Sequence, residues 1–166
     1  MAVQIGHPAP DFALKRKTET GIETVHLQDY RGQTVVLLFF PMAFTDVCTQ
    51  EMCTVSNEYQ QYASLGAAVL GISVDSPFAQ EAWAKQNGIT IPLLSDFNRE
   101  VCRAYGACYD NFFPGVLDFQ GVAKRSAFVI DAQGIVRYAE VLEDATQLPD
   151  FQRIREVVED LKEATQ

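Results

Sequence analysis

The sequence predicts an α/β fold in which helices cover both faces of a central mixed β-sheet. Two near-continuous apolar runs, residues 35–40 and 67–74, have the length and composition of strands buried on both faces. A helical apolar pattern lies between them, and the turn sequence at residues 131–134 joins two later apolar runs as a hairpin. This order of strand, helix, strand, hairpin and terminal helix is typical of a layered α/β sheet.

The first half of the chain divides into strands, a loop and one long helix. Residues 22–27 alternate as a short strand, and residues 35–40 form the first buried strand. The only basic run, residues 15–17, is predicted to be a solvated loop. Residues 45–65 carry a helical pattern that ends at Gly66, a residue type favoured just after helices.

The second half begins with the buried strand at 67–74. Ser76 and Pro77 then predict a helix start, because serine caps the first turn and proline suits the first helical position. Asn87 and Gly88 predict its end. The remaining predicted elements are a strand at 92–94, a helix capped by Asp96 and ending before Gly106, strands at 126–130 and 135–141, and a C-terminal helix around 151–161.

Composition agrees with one enzyme-sized domain spanning residues 1–166. The 166 residues are 48% hydrophobic, which is enough for a single substantial core. The net charge of −9 argues against a nucleic-acid or anionic-membrane surface. Neither a leader pattern nor a stretch of ~20 apolar residues is present, so we expect a cytoplasmic protein. Four cysteines are too few for a disulfide scaffold and suggest catalytic or metal roles.

Cys48 is the residue most suggestive of chemistry. It follows a buried strand and a proline, and falls in the first turn of the predicted helix. Unpaired backbone N–H groups and the helix dipole favour negative charge there, and the thiolate is the nucleophilic form of cysteine. The alternative is a core cysteine, since Cys48 shares a helical face with Met52, Val55, Tyr59 and Tyr62.

The pattern Pro41-x-x-x-Thr45-x-x-Cys48 resembles the active-site signature of the peroxiredoxins, the AhpC/TSA family of thiol peroxidases. Other stretches resemble the family in the same order, so the likeness covers nearly the whole chain. They are Asp11-Phe12-x-Leu14, Pro92-Leu93-Leu94-Ser95-Asp96, Ala104-Tyr105-Gly106 and Arg125-Ser126-Ala127-Phe128-Val129-Ile130-Asp131. Residues 39–45 and 93–97 are most similar to the alkyl hydroperoxide reductase E type, and residues 48–53 to the bacterioferritin comigratory type.

The resemblance implies a thioredoxin-like fold with the N-terminal extension of peroxiredoxins. It implies reduction of hydrogen peroxide and organic hydroperoxides through a sulfenic acid on Cys48, without a cofactor or metal. It further implies a homodimer and a reductant that closes the cycle, either a thioredoxin- or glutaredoxin-like protein or a low-molecular-weight thiol.

The resemblance also assigns roles around Cys48. Thr45 places a hydroxyl near the sulfur and the peroxide, with a simple N-cap as the alternative. Arg125 lowers the thiol pKa and orients the peroxide oxygen, with a surface arginine as the alternative. Backbone N–H groups of Val47 and Cys48 contribute, and Pro41 shields the pocket. Glu51, one turn on, either orients Arg125 or is solvent-exposed. Asp46 is an unexpected acid beside the cysteine.

The other cysteines determine the catalytic cycle. Cys53 matches the resolving position of some bacterioferritin comigratory proteins, whereas the alkyl hydroperoxide reductase E type lacks it. The alternative is that an external thiol attacks the sulfenic acid directly. Cys102 is predicted to be a core thiol in a helix, and Cys108 a more exposed one.

Three other functional classes are alternatives for a chain with these cysteines. A thioredoxin-type oxidoreductase needs Cys-x-x-Cys, but four residues separate Cys48 from Cys53. A structural zinc site needs close cysteine pairs that this spacing does not offer. A peroxide-responsive thiol sensor or partner-binding protein shares the reactive cysteine and differs in having little turnover.

Overall fold

The computed structural model describes residues 3–164. Its strands are β1 (Ala13–Thr18), β2 (Gly21–His26), β3 (Thr34–Phe39), β4 (Ala67–Ser73), β5 (Leu93–Ser95), β6 (Ser126–Ile130) and β7 (Val136–Val141). Its α-helices are α1 (Asp46–Asn57), α2 (Tyr59–Ser64), α3 (Pro77–Asn87), α4 (Glu100–Ala104) and α5 (Phe151–Ala164), and a 3₁₀ turn spans Leu27–Tyr30.

All seven strands belong to one mixed sheet in the order β2-β1-β5-β4-β3-β6-β7. The three strands β3, β4 and β5 run parallel, and β6 lies antiparallel to β3. Leu37 at the middle of β3 faces Leu70 on one side and Phe128 on the other. The predicted mixed sheet is therefore confirmed, with a parallel centre and antiparallel strands at both edges.

Alternate residues of the central strands belong to two separate hydrophobic clusters, one on each face of the sheet. Val36 and Leu38 belong to the cluster that packs against α1, α2, α3 and α5. Val35 and Leu37 belong to the opposite cluster, which includes α4, the 3₁₀ turn and the N-terminal strands. Because successive strand residues point to opposite faces, a residue's cluster shows the face on which it lies.

The strand and capping predictions are largely confirmed. Ser76 accepts a hydrogen bond from the Ala79 N–H, Pro77 occupies the first position of α3, and Gly88 ends the helix with a left-handed φ of 67°. Asp131 accepts the backbone N–H groups of Gln133 and Ile135, and so organises the turn between β6 and β7.

Two predictions for the first half are wrong. The helix predicted over 45–65 is two helices, because the backbone leaves helical values at Glu58 (φ −97°, ψ 6°). The Glu58 carboxylate there binds Arg155 of α5 at 2.6 Å, which ties the break to the terminal helix. The basic run at 15–17 lies in β1, where antiparallel pairing with β2 places Arg16 beside Glu23 at 3.3 Å.

The helix predicted to begin at Asp96 starts later. Arg99 has a positive φ of 63°, which ends the loop before α4. Asp96 nevertheless serves α4, because its carboxylate accepts the N–H groups of Val101 and Cys102 at 3.1 and 2.7 Å. The segment from 107 to 125, which no pattern assigned, forms an irregular hairpin through isolated bridges Cys108–Ala123 and Phe112–Phe119.

Candidate active site

The start of α1 is positioned by the end of β3. The N–H of Phe40 donates to the Ile72 carbonyl at 2.9 Å, which continues the alignment with β4. Pro41 is buried and follows at once, and a short loop leads to Asp46, the first residue of α1. Cys48 therefore lies in the first turn of the helix, as the sequence predicts.

Asp75 holds this loop in place. Its carboxylate accepts the N–H of Ala43 at 2.8 Å and the hydroxyl of Ser73 at 2.7 Å. Phe44, the next residue of the loop, has a positive φ of 67° although it is not glycine. Such strain persists where surrounding contacts enforce it and is common at functional sites.

Thr45 occupies the N-cap position of α1 with an extended backbone, but its side chain makes no capping hydrogen bond. Its hydroxyl instead donates to the Met42 carbonyl at 2.7 Å. The alternative role as a side-chain cap is therefore not realised. The Thr45 side chain is also among the groups that lower the pKa of the Cys48 thiol.

Arg125 and Glu51 meet Cys48 in the protein interior. A terminal nitrogen of Arg125, Nη2, lies 3.3 Å from the Cys48 sulfur, and Nη1 lies 2.6 Å from Glu51 Oε1. All three residues are at most 2% exposed. The alternatives of a surface Arg125 and an exposed Glu51 are therefore wrong, and the carboxylate–guanidinium pair is present.

The loop after β7 provides the remaining hydrogen-bond acceptor for the Arg125 guanidinium. The Ala145 carbonyl accepts from Nε at 3.1 Å and from Nη2 at 2.9 Å. The guanidinium thus has three fixed partners: a backbone carbonyl, a carboxylate and the sulfur. Its planar fork of donors is suited to such a fixed arrangement, and lysine cannot reproduce it.

Burial and charge act in opposite directions on the Cys48 thiol. Burial raises its pKa, while the Arg125 guanidinium, the Thr45 hydroxyl and the backbone of Met42 lower it. Burial is the largest effect and the pKa is raised, so the prediction of a pKa below the ordinary thiol value is wrong. Burial also raises the pKa of Glu51 to about 7, against the lowering effect of Arg125.

The remaining first-turn residues fit this arrangement. Val47 and Cys48 belong to the first turn of α1, where backbone N–H groups have no acceptor within the helix. Asp46 is exposed and is not among the groups that shift the Cys48 pKa. The acid beside the cysteine is therefore exposed to solvent rather than buried with the sulfur.

Cys53 lies on the same helix as Cys48, and both are free thiols. Cys53 is half-buried, and its Sγ–H donates to the Asn87 carbonyl at 3.4 Å. Cys102 and Cys108 form a disulfide, so the prediction of two separate thiols is wrong. The bond also removes two of the four ligands that a zinc site needs. Within residues 3–164, no group of three or more His, Cys, Asp or Glu residues is placed to hold a metal, and no helix could cross a membrane.

Comparison with known proteins agrees with this geometry. The sequence profile of the AhpC/TSA family matches residues 5–139. The chain belongs to the AhpC/TSA family. Peroxiredoxin-2 of Cricetulus griseus is 40% identical over 82% of this chain and 69% of its own length. Peroxiredoxin-2 of Macaca fascicularis is 38% identical over 83% and 69%. This peroxiredoxin is a thiol-dependent peroxidase.

Solved structures show the same fold. The reduced 2-Cys peroxiredoxin of Plasmodium vivax has a TM-score of 0.84 at 25% identity, over 97% of this chain and 83% of that one. AhpC of Mycobacterium tuberculosis has a TM-score of 0.82 at 23% identity, over 99% and 96%. The predicted thioredoxin-like peroxiredoxin fold is confirmed.

Sequence reasoning missed two contributors to the site. The Ala145 carbonyl lies in a loop, and a backbone acceptor has no sequence signal of its own. Asp75 had a weak signal, because a polar residue directly after a buried parallel strand lies at the sheet edge where ligands bind. Trp83 is a third residue of interest, since its Nε1–H donates to Thr49 Oγ1 of α1 at 3.0 Å.

Proposed function

We propose that Cys48 is the peroxidatic nucleophile of this thiol-dependent peroxidase. The observation that carries the proposal is the 3.3 Å contact between Arg125 Nη2 and the Cys48 sulfur, inside a buried site at a helix start. The Cys48 thiolate attacks one oxygen of the hydroperoxide, the O–O bond breaks, and the leaving hydroxide or alkoxide takes a proton to become water or an alcohol. Cys48 is left as a sulfenic acid.

Arg125 and Thr45 stabilise the charge that develops in this step. Negative charge spreads from the sulfur onto the two peroxide oxygens, and fixed donors aimed at those oxygens lower the barrier. The guanidinium already touches the sulfur, and the Thr45 hydroxyl is released from Met42 by rotation about one bond. Backbone N–H groups of Val47 and Cys48 supply further donors, while Pro41 limits access of water. Glu51 is a positioning residue that holds Arg125.

We propose that Cys53 resolves the sulfenic acid. Its thiol attacks the oxidised sulfur of Cys48, a disulfide forms, and water leaves. Residues five apart in an α-helix have Cα atoms roughly 8–9 Å apart, whereas a disulfide needs less than ~7 Å. The first turns of α1 must therefore unwind, which also separates Thr49 from Trp83, the single tryptophan of the chain.

A reductant with an exposed thiol then returns both cysteines to the reduced state. A thioredoxin- or glutaredoxin-like protein or a low-molecular-weight thiol has the required chemistry. We also propose a cytoplasmic location, where such reductants are present. We also propose a homodimer. Several large apolar side chains of the active-site loop and of the hairpin at 107–125 are exposed and suit a partner copy: Phe44, Phe113, Val116, Leu117 and Phe119.

Stopped-flow measurement of hydroperoxide consumption tests the nucleophile. Cys48→Ser is expected to abolish turnover, whereas Cys53→Ser retains the first reaction with peroxide and is the matched control on the same helix. Full turnover by the Cys48→Ser variant would overturn the assignment.

A further inference from the structure

The Cys102–Cys108 disulfide has no part in the proposed cycle of Cys48 and Cys53. Cys102 belongs to the hydrophobic cluster on one face of the sheet, with Cys108 packed against it, while Cys48 belongs to the cluster on the other face. The sheet separates the two pairs, so sulfur-to-sulfur exchange between them is blocked in the folded chain. The disulfide therefore requires a separate explanation.

The disulfide lies at the base of the irregular hairpin formed by residues 107–125. Cys108 pairs with Ala123 across this hairpin, and the Lys124 N–H donates to the Ala107 carbonyl at 2.6 Å. Arg125 follows directly. The cross-link thus fixes the strand pairing from which the catalytic arginine emerges.

A second connection runs through Tyr109, the residue after Cys108. Its hydroxyl donates to the carbonyls of Leu142 and Glu143 at 3.3 and 3.1 Å. These residues begin the loop whose Ala145 carbonyl accepts two hydrogen bonds from Arg125. Both the backbone of Arg125 and the acceptor that orients its guanidinium are therefore linked to the segment that the disulfide closes.

The same hairpin carries backbone strain. Phe113 and Asp118 have positive φ angles of 52° and 53° although neither is glycine. Conformations of this kind persist only where neighbouring contacts enforce them. Loss of the cross-link at the base of the hairpin removes one of those constraints.

We propose that Cys102 and Cys108 form a second, reversible thiol–disulfide centre whose closure holds Arg125 in its catalytic position. Cys102 is fully buried and Cys108 is half-buried, so Cys108 is the member of the pair that we assign to attack by an incoming thiolate. The inference rests on the proposed roles of Cys48 and Arg125. The device makes peroxidase activity depend on the redox state of a pair remote from the reacting sulfur.

Both directions of the reaction balance. A dithiol reductant attacks Cys108 Sγ, the Cys102 sulfur leaves and takes a proton, and the second thiol of the reductant releases Cys108. The reductant becomes a disulfide, and two electrons and two protons reach the protein. In reverse, Cys108 thiolate attacks a hydroperoxide to give a sulfenic acid and an alcohol or water. Cys102 then attacks that sulfur, the disulfide re-forms, and water leaves.

The redox chemistry is tested in the full chain with Cys48→Ser and Cys53→Ser combined, where only the remote pair can cross-link. After dithiothreitol treatment, alkylation and mass spectrometry are expected to find two thiols. One equivalent of hydrogen peroxide is then expected to remove both. A bond that resists the dithiol in the folded protein, or thiols that peroxide does not rejoin, would overturn the proposal.

The coupling is tested by single-turnover kinetics of Cys48 in three samples. They are wild type with the disulfide, fully reduced wild type, and the combined Cys102→Ser/Cys108→Ser variant, each checked by mass. The two samples without the bond are expected to react about fivefold more slowly or worse, with the pH midpoint of the rate moved upward. Equal rates and midpoints in all three would show a static cross-link and overturn the proposal. The reduced wild type carries the test if the double variant does not fold.

Two controls separate this inference from its foundations. In an Arg125→Met background the state of the disulfide is expected to have no effect, because the route through Arg125 is gone; a persisting effect contradicts that route. If Cys48→Ser keeps full turnover, the proposed function fails. If Cys48 is essential but its reaction rate is the same with and without the Cys102–Cys108 bond, only the present inference fails.

Discussion

The two cysteine pairs of this peroxiredoxin have nearly the same spacing and opposite states. Cys48 and Cys53 are five residues apart and remain free thiols, whereas Cys102 and Cys108 are six apart and bonded, with Cα atoms 5.4 Å apart. The first pair lies within the continuous helix α1. The second spans the end of α4, where Gly106 takes a left-handed φ of 68° and turns the chain back.

The difference shows that the backbone between two cysteines, rather than their spacing, determines whether they can pair. A helix keeps residues five apart beyond disulfide reach, and a helix end brings residues six apart within it. In the proposed cycle the first pair is held apart until oxidation permits unwinding. The surroundings differ as well, since Arg125 and Glu51 converge on Cys48 only.

Replacing Arg125 is expected to have the largest effect on the difference in reactivity between Cys48 and the other cysteines. Arg125→Met removes the donor at the Cys48 sulfur, and loss of one such donor typically costs ~2.7–4 kcal/mol, roughly a hundred- to thousandfold in rate. Lysine is expected to rescue poorly, because it lacks the planar fork. Stopped-flow rates with hydrogen peroxide measure the effect. Arg137→Met, at a half-exposed arginine paired with Asp131, is the matched control. A rate for Arg125→Met within threefold of wild type would contradict the role.

Thr45 is expected to have the next largest effect. Thr45→Val keeps the shape of the side chain and removes the hydroxyl, so the rate is expected to fall about a hundredfold. Thr45→Ser keeps the hydroxyl and serves as the control, with a much smaller loss. Comparable losses in both variants would indicate that the threonine acts through packing rather than through its hydroxyl.

Variants of Glu51 distinguish two effects of this residue: the positioning of Arg125 and the negative charge that it adds to the site. Glu51→Gln keeps an oxygen to accept from Arg125 but removes a negative charge that raises the Cys48 pKa. The pH–rate profile of Cys48 is therefore expected to move to lower pH. Glu51→Ala releases Arg125 and is expected to slow the reaction about tenfold or more relative to Gln. A profile that moves to higher pH in Glu51→Gln would contradict this account.

The smallest expected effect concerns stability. A disulfide that closes a loop of this size contributes about 2 kcal/mol to the free energy of unfolding. Urea denaturation with and without a dithiol is expected to show that loss in wild type. The free energy of unfolding of the Cys102→Ser/Cys108→Ser variant should not change when the dithiol is added. If the dithiol lowered the free energy of unfolding equally in both proteins, its effect would not come from breaking the Cys102–Cys108 disulfide.

The sequence predicted the central strands, the caps of α3 and the β6–β7 hairpin because each depends on local signals. Apolar runs, a serine–proline pair and an Asp-to-Gly turn act within a few residues. The break at Glu58 was missed because it is accompanied by a pairing with Arg155, 97 residues away. Strand β1 was missed because its three basic residues resemble a loop until partners in β2 and α3 are present.

In the candidate site, too, the features that depend on local sequence were predicted, whereas those that depend on distant contacts were not. Cys48, Thr45 and Pro41 form a local motif, and Arg125 was recognised by resemblance. The burial of Glu51 required the fold, since one turn of a helix faces either solvent or core. The pKa of Cys48 required it too, because a helix start and an arginine both favour thiolate, and only the structure reveals the opposing effect of burial.

Peptide mapping by mass spectrometry after one equivalent of hydrogen peroxide tests the central claim most directly. The starting protein carries free thiols at Cys48 and Cys53 and the Cys102–Cys108 bond. The account predicts a new Cys48–Cys53 cross-link, with a change in Trp83 fluorescence as α1 unwinds and with the remote pair unchanged. A Cys48 that keeps its thiol while another cysteine is oxidised would contradict it.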